Sequence, residues 1–151
     1  MSARSFYIPL LALLAVIGGC AAMHTPQTSN VTLSGAQEVP PVATSATGAG
    51  QITVTPDRLV NGQVTVFGMT PSVAHIHTGE PGTNGPPIIT LGKSSDNTFT
   101  VPPGAMLTES QYSAYRAGNL YVNVHSPSYP GGEVRAQLKP QMAAKRTSVG
   151  Y

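Results

Sequence analysis

The sequence predicts an all-β fold, an antiparallel Greek-key sandwich or barrel with one short helix. Three observations carry that expectation. Eight short segments rich in β-branched residues recur along the chain, of which Gln51-Ile-Thr-Val-Thr55 is typical. Sixteen glycines and 14 prolines punctuate 151 residues, which favours many short strands over long helices. Only 9% of the residues are charged, yet the apolar runs supply faces that a disordered segment lacks.

Strands are expected at 31–35, 50–55, 59–68, 72–77, 88–91, 98–101, 120–125 and 133–138. Alternation along them makes Ile52, Val54, Val64, Val66, Ile76, Val122, Val124, Val134 and Leu138 the candidate core. A single helix is expected over 108–117, where Thr108 and Gln111 have capping-box spacing and Gly118 supplies a stop. Tyr112 and Tyr115, three residues apart, share its apolar face and read as packing against the sheet rather than as a radical or binding pair.

One domain fits this length. Residues 1–19 read as an export leader, with Arg4, an apolar run over 8–17 and Gly18-Gly19 before Cys20. The run is too short to span a bilayer core of about 30 Å, which takes about 20 helical residues. Small residues directly before a cysteine resemble the bacterial lipobox, which implies that Cys20 is lipidated after cleavage; the alternative is a buried or free thiol behind an ordinary leader. On the lipobox reading residues 20–30 are a lipidated tether, 31–140 the domain and 141–151 a flexible tail. Anchorage in the bacterial envelope follows, with Ala21 rather than Asp after the cysteine pointing to the outer membrane, facing the periplasm. The formal charge of +2 reports the chain ends, because between 31 and 140 five basic side chains meet six acidic ones. No basic stripe for nucleic acid is present.

Three of the four histidines form an informative set; His24 falls in the tether. His75 and His77 are two residues apart in Val73-Ala-His-Ile-His77, so a strand projects both imidazoles from one face and turns Ala74 and Ile76 to the other. Leu120-Tyr-Val-Asn-Val-His125 repeats the logic, with Tyr121, Asn123 and His125 opposite Val122 and Val124. Brought together, the two strands would offer three imidazoles without a thiolate, a donor set that suits copper or zinc and leaves a coordination position open, with the affinity order ranking zinc behind copper. Exposed or hydrogen-bonded histidines are the alternative. The glycine-rich loop 78–87 either folds over the pair or is simply a long turn.

Four segments together resemble the CHRD domain, the module named after chordin. They are Leu33-Ser-Gly-Ala-Gln-Glu-Val-Pro-Pro41, Ala74-His-Ile-His-Thr-Gly79 with Asn84-Gly-Pro86, Leu120-Tyr-Val-Asn-Val-His125, and Gly131-Gly-Glu-Val-Arg-Ala-Gln-Leu138. The likeness runs in order over about 31–139, with Ala136 where the family usually has glycine. A more distant resemblance is to copper–zinc superoxide dismutases, which also carry a His-x-His strand, a later Val-x-His and an arginine near the end. That resemblance implies a superoxide-dismutase-like sandwich or barrel, with His75, His77 and His125 as copper ligands and Arg135 as an anion-guiding catalytic residue. It does not extend to a dinuclear centre, since residues 78–124 hold no histidine. Glu38 and Glu133 stand nearest the family signatures and are candidates for an extra ligand or for a carboxylate that fixes an imidazole. Backbone bonding by Glu38, and pairing of Glu133 with Arg135, are the structural alternatives.

Three functions remain open: a lipid-anchored copper-binding envelope protein, in one form a copper-dependent dismutase-like enzyme; an interaction module for an envelope protein partner, as chordin binds a secreted growth factor; or a domain whose histidines only brace loops. No phosphate loop, Ser-His-Asp arrangement or carboxylate pair at catalytic spacing supports a nucleotide or hydrolase reading.

Overall fold

A computed structural model of the chain describes residues 25–141. The leader, Cys20, most of the tether, His24 and the tail beyond 141 lie outside the described residues.

Eight antiparallel strands close into a barrel: β1 (Gln27–Ser34), β2 (Thr47–Val54), β3 (Val60–Phe67), β4 (Val73–Thr78), β5 (Pro87–Lys93), β6 (Thr98–Thr100), β7 (Leu120–His125) and β8 (Val134–Leu138). Their order around the barrel is β1-β2-β3-β6-β5-β4-β7-β8. Consecutive strands β4, β5 and β6 are neighbours, and β3 pairs with β6 rather than with β4, which is the Greek key. Every strand read from the sequence is present. The first one starts at Gln27, four residues early, because Gln27 to Asn30 pair with Val54 to Gln51. Polar residues at the end of the expected tether hid this extension: the partner strand, and not their own hydropathy, holds them in the sheet.

Strand alternation sorts the side chains as expected. Ile52, Val64, Val66, Val122, Val124, Val134 and Leu138 have no exposed surface, and Val54 and Ile76 are 1% exposed. Burying each such side chain contributes about 1.5–3 kcal/mol, and closure of the barrel removes free sheet edges.

The helix α1 (Glu109–Arg116) is capped as its sequence requires. Thr108 Oγ1 accepts from the Gln111 amide at 3.2 Å, and Gln111 Oε1 accepts from the Thr108 amide at 2.8 Å. Bonds from Gly118 N–H to Tyr115 O and from Asn119 N–H to Ala114 O end it. Tyr115 is buried, and its hydroxyl donates to Gln27 O at 2.8 Å, pinning the helix to β1. Among the described residues no helix is long and apolar enough to cross a membrane.

Strand β7 is buried on both faces. Its inner face is apolar, whereas its outer face carries Tyr121, Asn123 and His125 beneath surrounding loops. A second, polar layer therefore lies outside the barrel wall, and the histidines belong to it.

Candidate metal centre

Register places the three histidines. In the β4–β7 ladder His75 is opposite Asn123, His77 opposite Tyr121 and Val73 opposite His125, so His125 lies one diagonal step from His75 on the same outer face. His75 Nδ1 and His125 Nε2 are 3.0 Å apart. One nitrogen from each of His75, His77 and His125 lies within 4.8 Å of the others. Ligands about 2.0–2.1 Å from one ion must be within roughly 4.2 Å of each other. The closest pair, 3.0 Å apart, meets this limit, whereas the widest spacing in the group reaches 4.8 Å and lies just outside it.

Backbone carbonyls set the tautomers. His77 Nδ1 donates to Gly85 O at 2.8 Å, and His125 Nδ1 donates to Pro130 O at 2.9 Å. A carbonyl only accepts, so each Nδ1 carries the proton and each Nε2 keeps its lone pair. His77 Nε2 is buried with no hydrogen-bond partner. Leaving such a group unsatisfied costs about 1–3 kcal/mol, and an in-plane imidazole lone pair can be satisfied by a hydrogen-bond donor or by a metal ion. Burial, followed by repulsion from His125 and then His77, pushes the His75 pKa below its usual 6.5. His77 is also pushed down, mainly by burial, against the opposing Gly85 hydrogen bond and a weaker pull from the Asn123 side chain beside its other nitrogen. Both rings are thereby kept neutral, the form that binds metal.

The converging group consists of the three histidines alone among the described residues. Glu38 is 5% exposed, and burial raises its pKa from 4.5 to about 7 against the opposing pull of Arg135 and a hydrogen bond from Asn123. Gly132 makes room for this pair: a Cβ there, at φ 127°, would stand 2.6 Å from both Asn123 Nδ2 and Glu38 Oε1. Glu133 is buried, but its carboxylate accepts from Thr44 Oγ1 at 2.8 Å, and it forms no ion pair with Arg135. The second nitrogens of His77 and His125 are held by carbonyls and not by either carboxylate.

Arg135 is 1% exposed, with Cζ 3.5 Å from the centre of the Tyr121 ring. Tyr121 in turn stacks on His77, with centroids 4.8 Å apart and planes 9° apart. The guanidinium donates from Nη1 to Asn84 Oδ1 at 3.1 Å and from Nη2 to Thr83 O at 2.9 Å, Gln137 Oε1 at 3.2 Å and Glu80 O at 3.4 Å. Loop 78–87 therefore covers the outer face, supplying Gly85 to His77 and several acceptors to Arg135. The carbonyls of Gly85 and Pro130 escape a reading of side chains, since backbone acceptors carry no residue-type signal. Tyr121 and Asn123 are visible in the sequence only as sharers of the His125 face.

Comparison with known proteins adds one finding. No curated protein and no solved structure matches the chain. The CHRD domain model matches residues 29–138, from within β1 to the end of β8, so the match takes in all but the first two residues of the barrel, together with the three histidines and Arg135. The chain belongs to the CHRD domain family.

Proposed function

We propose that this CHRD-domain protein binds a single copper-type ion through His75 Nδ1, His77 Nε2 and His125 Nε2, and that it does so anchored in the bacterial envelope through lipidated Cys20. The observation that carries the metal reading is the convergence of one nitrogen from each of His75, His77 and His125 within 4.8 Å, with His77 Nε2 buried on a ring whose other nitrogen is held by Gly85 O. Neutral imidazoles without thiolate or carboxylate suit copper or zinc, and the affinity order favours copper when both are available. Copper, when bound, supplies one-electron chemistry; the chain's own residues orient the Nε2 lone pairs of His77 and His125 and exclude bulk water from those two rings.

Elemental analysis of the full chain, purified from membranes without a histidine tag, tests this. One copper per chain is expected, lost in His77→Ala. A chain that stays metal-free after exposure to stoichiometric copper would refute the reading.

A dismutase-like enzyme is the second reading, favoured by the half-buried state of His75, which leaves one side of the cluster accessible. Superoxide turnover by the copper-loaded chain above free-copper controls is its expected outcome. Turnover no higher than the controls rejects the enzyme and leaves copper binding in place.

A further inference from the structure

The sequence resemblance makes Arg135 a guide for anions, but its surroundings describe a different task. The side chain is 99% buried, and Nη1 and Nη2 both donate to protein acceptors. Two backbone carbonyls, Glu80 O and Thr83 O, and the side chain of Asn84 receive those bonds, all on loop 78–87, which also carries Gly85. Asn84 also donates to Val39 O at 2.6 Å, tying that loop to the strip beside Glu38. Gln137, itself bonded to Arg135, donates to Gly79 O at 2.8 Å and closes the start of the same loop.

Gly85 is the point on which these restraints converge. Its amide donates to the Tyr121 hydroxyl at 3.2 Å, while its carbonyl accepts from His77 Nδ1 at 2.8 Å. Tyr121 lies against both Arg135 and His77. The fit at Gly85 is tight: a Cβ there would stand 1.8 Å from Thr78 O, so only glycine brings this peptide to the imidazole.

We infer that Arg135 is a positioning residue: its guanidinium clamps loop 78–87, through that loop it fixes the Gly85 carbonyl, and the carbonyl holds His77 in the tautomer that turns Nε2 toward the metal. This inference rests on the metal reading above for its purpose, but the clamp is a property of the metal-free protein. Planarity is essential to it, because one fork serves acceptors on several loop residues at once. A lysine keeps the charge and loses the fork. An anion guide would therefore survive Arg135→Lys, and a clamp would not.

The test measures ring tautomers by nitrogen-15 NMR in the metal-free full chain, together with copper affinity by chelator competition. His125 is the internal control, because Pro130 O holds it from a different loop. In Arg135→Lys, His77 is expected to lose its exclusive Nδ1–H form while His125 retains its own, and copper affinity is expected to fall about 10–100-fold, as for loss of other supports of metal-bound histidines. Asn84→Ala gives the same change in weaker form from an exposed position, and decides the matter if Arg135→Lys does not fold. An unmoved His77 tautomer in the folded variants overturns the clamp, as does an equal disturbance of His77 and His125, which would mean general loosening. Failure of the metal reading shows separately, as a wild-type chain that takes up no copper.

Discussion

His75 Nδ1 and His125 Nε2 are 3.0 Å apart across neighbouring strands, and only one of the two nitrogens has a proton to give. His125 commits its proton to Pro130 O through Nδ1, so in the neutral, metal-free site His75 Nδ1 must be the donor. For both nitrogens to hold a metal ion, His75 would have to carry its proton on its other ring nitrogen instead. Binding then requires a tautomer change in one ring and no net loss of a proton.

Copper affinity is accordingly expected to be level from pH 8 to pH 7 and to fall only in acid. His75 and His77 are both held below 6.5, chiefly by burial, so protons compete with metal only below that value. Chelator-competition titrations across the range check this. A steep fall already between pH 8 and pH 7 would contradict the neutral-ring description. Replacing His125 by Ala should lower affinity by more than about 100-fold, beyond the loss typical of a supporting residue.

Glu38 gives stability a pH dependence of the opposite sign from that of the histidines. Its pKa rises from 4.5 unfolded to about 7 folded, so its contribution is complete below 4.5 and is lost as pH climbs through 7. The size of that loss is about 3 kcal/mol at one pKa unit per 1.4 kcal/mol. Glu38→Gln should flatten this limb, so that urea midpoints of the metal-free variant and wild type diverge between pH 5 and pH 8. Parallel curves over that range would show that the carboxyl is not desolvated as described.

Ile76 lies between the two β4 histidines and points the other way, into the core at 1% exposure. Ile76→Ala should destabilise the domain by about 2–5 kcal/mol through lost burial and a residual cavity. His75→Ala, on the outer face and half-buried, should lose metal with a much smaller effect on the stability of the metal-free chain. Urea unfolding of both variants without metal distinguishes the two faces, and equal losses would mean that the wall does not separate core from site.

Cys20→Ser is expected to release the protein from the membrane fraction or to block its maturation, because lipidation of Cys20 is the proposed anchor. Fractionation followed by mass determination of the mature N-terminus checks it. A correctly cleaved Cys20→Ser chain that stays with the membrane would refute the lipid anchor.

Much of the architecture was legible in the chain. Alternation named the core because a strand turns every second side chain inward, and the punctuation by glycine and proline bounded the strands. Thr108 and Gln111 announced the helix because capping is local, reaching only three residues. The start of β1 was not legible, because Gln27 to Asn30 are strand only by virtue of β2.

The same division holds at the site. The sequence by itself determined that His75 and His77 share a face, that Tyr121, Asn123 and His125 share another, and that neither set belongs to the apolar core; period-two geometry leaves no other arrangement in a strand. Tertiary structure decided the rest. The β4–β7 register placed His75 one diagonal step from His125, and loops that return over the barrel wall buried an outer face whose composition reads as solvent-facing. Those loops also supplied the Gly85 and Pro130 carbonyls that choose each ring's free nitrogen. Register and loop closure couple residues tens of positions apart, and a backbone acceptor is the same atom in every residue, so neither leaves a local mark in the sequence.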